Sequence, residues 1–244
     1  MAIQVTTTTT AVMGNTIRAR IFTLAAVGLL AVAVLVLAWP RFQASFHSLP
    51  VDIAIKRYYI DRQIPSDRLP VLLEFSQQSI AYNDHYRYRD DLGVLHYLRA
   101  LDPFTPALER IPEYRLAETE TMTALQLAPA QPQAWLRLAT IRWILHDEPE
   151  TIIGPWKMSI FTGRTDSSLL AARVEMGLAH HEFLDAEAVA MLRDQLLIAW
   201  RTRPSSLVRV LGRRDRNLAV TRELLADTHP LALQEMEVLL EKLR

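Results

Sequence analysis

The sequence predicts an all-α protein in which a single N-terminal transmembrane helix is followed by an array of α-helical hairpins. An uncharged apolar run near the N-terminus predicts the transmembrane helix. Behind it, prolines and glycines separate stretches of helical periodicity, and no alternating strand pattern of useful length appears. Small and large apolar residues then recur at the spacing with which paired helices pack. These three observations define the fold class.

The apolar run is IFTLAAVGLLAVAVLVLAW, residues 21–39, which contains neither charge nor proline. At about 1.5 Å per residue it spans roughly 28 Å, close to the thickness of the hydrocarbon core of a bilayer. A cleaved signal peptide is the alternative, but its apolar region usually has only about 7–15 residues. Trp39 and Pro40 also stand where its cleavage site would lie. The run therefore predicts an uncleaved transmembrane signal-anchor helix.

Two arginines before the run indicate the orientation of the anchor. Arg18 and Arg20 are basic, no acidic residue accompanies them, and such flanks usually remain in the cytoplasm. We therefore expect residues 1–20 to form a short cytoplasmic tail, unstructured over Met1–Asn15. The expected location is the bacterial inner membrane, single-pass, with the C-terminal domain in the periplasm. Three basic residues behind the run weaken this charge bias: Arg41, Lys56 and Arg57.

Behind the anchor we predict a membrane-proximal helical region, 40–112, and a helical domain, 113–244. Polar N-cap residues and terminal glycines mark several helix ends. The N-cap candidates are Ser66, Asp166 and Asp185, and the terminal glycines are Gly163 and Gly212. Pro103, Pro106 and Pro112 interrupt the helix expected before Ala117. The predicted helices are 51–62, 66–83, 87–101, 113–127, 132–146, 150–162, 166–181, 185–202, 205–212, 215–227 and 229–243.

The clearest repeat signal is LQLAPAQPQAWLRLA, residues 125–139, which resembles a junction between two tetratricopeptide (TPR) repeats. Small residues at fixed spacing let two helices approach, and large residues fill the groove between hairpins. The junction predicts a TPR-like domain over 113–244, with an irregular helical bundle as the alternative. The residues at TPR positions are Ala117, Ala124, Pro129, Trp135, Leu138 and Ala139.

A family resemblance rests on two segments that follow the anchor. They are APAQPQAWLRLATIRW, residues 128–143, and WKMSIFTGRTDSSLLAARVEMGL, residues 156–178. The residues that carry it are Ala128, Pro129, Ala134, Trp135, Leu138, Ala139, Ser159, Thr162, Gly163, Leu170, Arg173 and Gly177. Over about residues 113–202 the chain resembles VpsP-type polysaccharide-biosynthesis proteins, in which an "SI-TG" turn and an arginine-bearing helix follow a TPR-like half. The resemblance implies a role in making or exporting a surface polysaccharide and brings no catalytic residue.

Tyrosines form the first candidate interaction site. All seven lie between Tyr58 and Tyr114, and they are densest in YNDHYRYRDD, residues 82–91. Aromatic rings beside Asp, Asn and Arg can stack on sugars and hydrogen-bond to them, so a glycan is one candidate ligand. The same side chains also pack at the edges of helical hairpins, and we favour this interpretation because no second element fixes a site. The candidate residues are Tyr82, Tyr86 and Tyr88.

Arginines form the second candidate site. Residues 200–216 contain six arginines and one aspartate, a local net charge of +5. Such a patch could bind an acidic glycan, lipid headgroups or an acidic partner protein. We favour a solvated face that pairs with acidic residues of the last two helices, because exposed charge runs usually serve solubility. The candidate residues are Arg209, Arg213, Arg214 and Arg216, and the expected acidic partners are Glu223, Asp227, Glu235, Glu237 and Glu241.

Enzymatic and metal sites find no support in the sequence. It contains no cysteine, nucleophile elbow, Walker loop, dinucleotide-binding glycine pattern or HExxH motif. His180 and His181 are adjacent, so on a helix their imidazoles would point about 100° apart and not toward one metal. Acidic and basic residues number 27 each, which argues against nucleic acid as a partner. We therefore expect no enzyme, no cofactor and no metal.

The expected function is that of a membrane-anchored periplasmic scaffold in exopolysaccharide biosynthesis or export, acting through protein–protein contacts. Its expected partners are inner-membrane or periplasmic proteins of a polysaccharide assembly machine. Two alternatives remain open: a periplasmic module that binds an acidic glycan, and an assembly factor for another envelope complex.

Overall fold

The computed structural model describes residues 8–61 and 64–243, and the side chains of 22–60 and 64–242. Within these ranges the chain is built of α-helices and two short 3₁₀ turns, Ser66–Arg68 and His181–Phe183, with no strand. The all-α prediction is confirmed. The helices are α1 (Thr8–Asp61), α2 (Leu69–Tyr82), α3 (Tyr86–Leu101), α4 (Ala107–Leu127), α5 (Pro132–Ile144), α6 (Pro149–Thr162), α7 (Leu170–Ala179), α8 (Ala186–Thr202), α9 (Pro204–Gly212), α10 (Asp215–Leu225) and α11 (Pro230–Leu243).

Helix α1 joins the predicted anchor to the first helix of the folded domain without a break. It runs for 54 residues through Pro40 and Pro50, so the separate helix predicted at 51–62 is the end of the anchor helix. Each proline removes only one backbone hydrogen bond, and packing of α1 on α2 and α3 holds the helix together from Ala44 onward. The expectation of an unstructured head is wrong from Thr8 onward, and residues 1–7 lie outside the described residues.

The same helix is the membrane-spanning candidate. In the part of the chain that the structure describes, α1 alone is long and apolar enough to cross a membrane, within Phe22–Ile60. None of the side chains in its most apolar stretch is buried by the rest of the protein. A helix with this apolar surface is stable when lipid covers it.

Consecutive helices pair into hairpins along the chain. Helix α1 packs on α2, α3 on α4, α5 on α6 and α7 on α8, and α9 to α11 fold back on α7 and α8. The α3–α4 pair is especially close, because a Cβ on Gly93 would lie 2.7 Å from Thr121 Oγ1. Ala117 and Ala124 are buried in this hairpin, as their predicted packing role requires. The TPR-like description of the array stays a prediction.

Two of the four hydrophobic clusters in the described chain are much larger than the others and stabilise the array. The first joins α1, α2 and α3 through residues such as Val51, Leu72 and Leu95. The second and larger one joins α5 to α11 around Trp156, Leu192 and related residues. The domain boundary predicted at 112/113 falls inside α4, which begins at Ala107 and tolerates Pro112 in its second turn. The predicted start of this helix at residue 113 was therefore wrong.

The predicted helix ends have mixed outcomes. The Asp185 carboxylate accepts the Ala188 N–H at 2.7 Å, which confirms this N-cap. The Ser66 hydroxyl instead donates to Asp102 Oδ1 at 2.9 Å, so Ser66 caps no helix through its side chain. Asp166 Oδ1 accepts the Ser168 N–H at 3.0 Å in a turn, and α7 begins only at Leu170. Helices α6 and α9 end at Gly163 and Gly212 as predicted.

Candidate functional site

The predicted tyrosines pack between hairpins and do not converge on one cleft. Tyr88 is buried, and its hydroxyl lies 3.3 Å from Ser45 Oγ of α1. Tyr82 stacks on His47 of the same helix, with ring centroids 5.3 Å apart. Tyr86 is half-buried beside His85. Tyr82 and Tyr88 therefore attach α2 and α3 to α1.

A different group of tyrosines lines a groove of about 600 Å³, named here the tyrosine groove. Its tyrosines are Tyr58 and Tyr59 at the end of α1, and Tyr97 of α3. Helix α5 and the segment before α7 complete the lining. The other lining residues are Val94, Leu98, Gln133, Leu136, Arg137, Thr140, Ser168 and Leu169.

The tyrosine groove follows from the order of the hairpins. Helices α1, α3 and α5 are the first helices of three successive hairpins. Helix α1 contacts α3, Asp90 of α3 pairs with Arg137 of α5, and all three helices line the groove. Arrays of stacked helix pairs use such a surface to bind extended ligands. The density of tyrosines along the sequence pointed to residues 82–91, whereas the groove draws on helices far apart in the chain. A search for polar and aromatic residues on the first helices of hairpins would have found it.

Arg137 is the cationic group of the tyrosine groove, and its charge is already paired. Its guanidinium forms an ion pair with Asp90, and its Nε donates to Thr121 Oγ1 at 3.3 Å. The side chain is almost fully buried, which fixes its position at the floor of the groove. An anionic ligand is therefore not required to neutralise Arg137.

Tyr59 and Tyr97 contribute neutral hydrogen-bonding groups to the groove. Burial raises the pKa of Tyr97 to about 12, and burial also raises the pKa of Tyr59. Both phenols therefore remain protonated at neutral pH and can donate as well as accept. With the amide of Gln133 and the hydroxyl of Thr140, they suit a ligand rich in uncharged hydrogen-bonding groups, such as a peptide backbone or a sugar.

Asp91 lies near Asp90 and Arg137, and its carboxyl group has a raised pKa. Burial, followed by the neighbouring charge of Asp90, raises the pKa of Asp91 to about 7. The guanidinium groups of Arg87 and Arg137 oppose this shift. Its Oδ2 atom is buried without a hydrogen-bond partner among the described residues. Asp90 and Asp91 therefore occupy different environments, one in an ion pair and one buried beside it.

The arginines of residues 200–216 pair with different acids from those expected. Arg213 binds Glu175 of α7 at 2.5 Å, and Arg216 binds Glu182 at 2.7 Å. The predicted pairing with the last two helices is therefore wrong for these two residues, because α9 and α10 pack on α7. Arg209 bonds within its own helix to the Ser205 carbonyl at 3.2 Å, and Arg214 is exposed at the start of α10. Glu175 and Glu182 thus neutralise part of the positive charge of residues 200–216.

His180 and His181 have separate partners. His180 is buried, and its Nδ1 lies 3.0 Å from the Met176 carbonyl. His181 Nδ1 lies 3.2 Å from the Arg216 guanidinium. No cluster of three potential metal ligands occurs in the part of the chain that the structure describes.

Three of the residues behind the family resemblance, Ser159, Gly163 and Arg173, form a structural network named here the Arg173 lock. Arg173 is fully buried. Its guanidinium donates to the Ser159 hydroxyl at 3.0 Å, the Ser159 carbonyl at 2.5 Å and the Gly163 carbonyl at 2.9 Å. Gln195 Oε1 lies further away, at 3.4 Å. The acceptors that the structure gives it are all neutral, and burial lowers the pKa of Arg173 to about 10.

The Arg173 lock joins four helices. The Ser159 hydroxyl donates to the Pro132 carbonyl of α5 at 2.8 Å, and Trp156 Nε1 donates to the Arg173 carbonyl at 2.8 Å. Gly177 lies against α8, since a Cβ there would come within 2.7 Å of Leu192 Cδ1. The "SI-TG" turn and the arginine-bearing helix thus orient α5, α6, α7 and α8, and their contacts are internal to the protein.

Comparison of the chain with protein-family models and with curated proteins finds no match. The resemblance of residues 113–202 to VpsP-type proteins therefore stays a prediction.

Proposed function

We propose that this protein is a membrane-anchored, non-enzymatic scaffold whose tyrosine groove binds an extended segment of a partner protein. The observation that carries the proposal is the position of the groove across α1, α3 and α5. A volume of about 600 Å³ lies within the usual range of ligand sites, about 300–1,000 Å³. Its neutral hydroxyl and amide groups match the donors and acceptors of a peptide backbone.

The anchor determines which partners can reach the groove. Tyr59 lies on the same helix as Trp39, about 30 Å further along at about 1.5 Å per residue. Because α1 is continuous, the groove is held at a limited height above the membrane surface. Tethering of this kind raises the effective concentration of other membrane-bound proteins, so that weak contacts suffice.

The proposed context is the assembly or export of a surface polysaccharide. This part rests on the resemblance of residues 113–202. The proposed position of the groove on the periplasmic side of the bacterial inner membrane rests on Arg18 and Arg20 before the apolar run. The partners are then inner-membrane or periplasmic proteins of the polysaccharide assembly machine. No metal, cofactor or nucleic acid is part of this proposal.

A co-purification experiment tests the proposal. The full chain is extracted in detergent after mild crosslinking, and its partners are identified by mass spectrometry. Replacing Tyr59 and Tyr97 with alanine should remove the partners, whereas Tyr82→Ala should retain them. Tyr82 is a matched control because it is 46% exposed, against 49% for Tyr59, and lies outside the groove. Recovery of the chain alone, or equal recovery of partners with all variants, would contradict the scaffold function.

A glycan is the second candidate ligand, and the aromatic lining of the tyrosine groove favours it. Three tyrosine rings beside amide and hydroxyl groups are suited to stacking and hydrogen bonding with a sugar. In this case the Tyr59→Ala and Tyr97→Ala changes should weaken retention on immobilised polysaccharide, without any protein partner. The Arg213→Ala and Arg214→Ala pair tests the basic patch, since only a site for an acidic glycan would lose retention through these changes.

A further inference from the structure

Helix α1 carries an exposed apolar stripe beyond the predicted membrane span. The stripe consists of Trp39, Phe42, Phe46, Leu49 and Ile53, and each of these side chains is between 51% and 64% exposed. The steps between them are three, four, three and four residues. This is the spacing with which two helices pack along a common seam.

The folded domain of the same chain covers the opposite side of α1. Ala44, Val51 and Ile55 are buried, and Val51 and Ile55 belong to the core that α1 shares with α2 and α3. Residues two positions apart point about 200° apart around a helix. Val51 therefore faces the hairpin while Ile53 faces outward, and the same relation holds for Ala44 and Phe46. Most of the apolar stripe is thus left uncovered within the described chain, whereas Ile53 borders a cleft that is also lined by Ile64, Arg68 and Leu72.

Lipid reaches only the first part of this stripe. Ile53 lies 14 residues beyond Trp39, about 21 Å along the helix. The headgroup layer on one side of a bilayer is only roughly 5–8 Å thick. Phe46, Leu49 and Ile53 therefore stand beyond the lipid when α1 crosses the membrane upright, so their occupant is a protein surface.

We propose that the apolar stripe binds the same stripe of a second copy, giving a parallel dimer of α1 helices. A second copy emerges from the membrane in the same direction and at the same depth. Equivalent positions of the two helices therefore lie at the same height and can contact each other directly. Any bend at Pro40 or Pro50 is the same in both copies, so a two-fold axis keeps equivalent positions at the same height along the two helices. This inference does not depend on the proposed function of the groove.

The size of the seam is sufficient for a specific dimer. Three aromatic and two aliphatic side chains, each more than half exposed, offer roughly 500 Å² per chain if about 100 Å² of each is covered. A symmetric pair then buries about 1,000 Å², the lower limit for a specific interface. The repeat also extends back into the membrane through Leu35, Val32 and Gly28. A small residue at such a position lets two helices approach closely in lipid, and the space around Gly28 is open.

Cysteine crosslinking tests the dimer, because the natural chain contains no cysteine. Single-cysteine variants of the full chain, Phe46→Cys, Leu49→Cys and Ile53→Cys, are oxidised in membranes and analysed on non-reducing gels. The control is Gln77→Cys, an exposed position on the outer side of α2. All three stripe variants should give several-fold more disulfide-linked dimer than the control. Equal yields at all four positions, or no dimer at any, would overturn the proposal.

A second measurement separates dimerisation from folding. Phe46→Glu combined with Ile53→Glu places charge on the apolar stripe without entering the core, so helicity and melting temperature should stay unchanged while the dimer is lost. A dimer that survives these changes would refute the seam. Efficient labelling of the Phe46→Cys and Ile53→Cys variants by a bilayer-restricted thiol reagent, with no dimer, would show that lipid is the occupant and would also overturn the proposal.

Discussion

The tyrosine groove and the Arg173 lock both contain a buried arginine, but the two regions use it differently. In the groove, Arg137 is neutralised by Asp90, and the tyrosines around it keep hydroxyl groups available to a ligand. In the lock, Arg173 is surrounded by carbonyl, hydroxyl and amide acceptors that belong to neighbouring segments of the array. The residues of the Arg173 lock therefore determine shape, whereas the candidate binding residues lie in the tyrosine groove.

The largest expected effect comes from removing the guanidinium of Arg173. Arg173→Met keeps most of the apolar volume but leaves the Ser159 and Gly163 carbonyls buried without donors. Unsatisfied buried acceptors cost about 1–3 kcal/mol each, so we expect a loss of about 3 kcal/mol in unfolding free energy. Urea denaturation of the detergent-solubilised full chain, followed by circular dichroism, measures it.

Arg214→Met is the matched control for this change because Arg214 is exposed. Its effect should stay within about 0.5 kcal/mol. Equal losses for the two variants would show that the lock does not hold the helices together.

A smaller effect is expected at Gly177, where α7 meets α8. A Cβ at this position would lie 2.7 Å from Leu192 Cδ1 and 2.9 Å from a ring carbon of Trp156. Gly177→Ala should therefore lower the unfolding free energy by about 1–3 kcal/mol through overpacking. At Gly154 an added Cβ would meet no atom within 4 Å. Alanine favours a helix more than glycine does, but Pro155 disfavours the helical conformation for an alanine directly before it, so the two effects offset each other. Gly154→Ala should thus change stability by less than about 0.5 kcal/mol, and a larger loss there than at Gly177 would argue against the packing account.

Asp91 supplies a pH-dependent test of the groove region. Its pKa is about 7 in the folded protein and near its ordinary value of 3.8 in the unfolded chain. Between these pH values the folded state binds more protons, so the contribution of Asp91 to stability falls as the pH rises and stays low above pH 7. Asp91→Asn removes this loss, and at pH 8 the variant should be more stable than the natural protein by about 1–2 kcal/mol.

The pKa of Asp84 is shifted in the opposite direction from that of Asp91, so Asp84 serves as the control. A hydrogen bond from Arg89 lowers the pKa of Asp84, so its ionised form stabilises the folded state above its ordinary pKa. Asp84→Asn should therefore lose a little stability at neutral pH. Denaturation midpoints of the three proteins between pH 4 and pH 8 measure both effects. An Asp91→Asn curve parallel to that of the natural protein would contradict the burial of this carboxyl group.

The smallest expected effect on stability is in the groove itself. Tyr59→Phe removes a hydroxyl that is not needed for packing, so the unfolding free energy should change by less than about 0.5 kcal/mol. Partner recovery in the co-purification experiment should nevertheless fall. If Tyr59→Phe lowered the unfolding free energy but left partner recovery unchanged, Tyr59 would be a packing residue and not a binding residue.

Local signals in the sequence predicted the helices well, because proline, glycine and polar caps act within a few residues. They failed where tertiary packing overrides them. Packing against α2 and α3 carries α1 through Pro50, and contact with α3 holds α4 together through Pro112. The predicted membrane helix was found, but its continuity with the domain depends on these contacts.

The candidate sites were harder to predict than the helices. Tyr59 and Tyr97 are 38 residues apart in the chain, and only the stacking of α1 beside α3 brings them to one groove. The partner of Arg213 is Glu175 of α7, not an acid of the last two helices, since helix order in space differs from order in sequence. The burial of Arg173 likewise gives no local signal, because its acceptors come from the end of α6 and from α8.

The central claim is that partner proteins contact the tyrosine groove, and position-specific photocrosslinking tests it most directly. A photoreactive phenylalanine derivative replaces Tyr59 in one variant of the full chain and Tyr82 in another, in cells that produce the natural partners. We expect a protease-sensitive adduct from position 59 and none from position 82, although both side chains are about half exposed. Adducts of equal yield from both positions, or an adduct from position 82 alone, would contradict it.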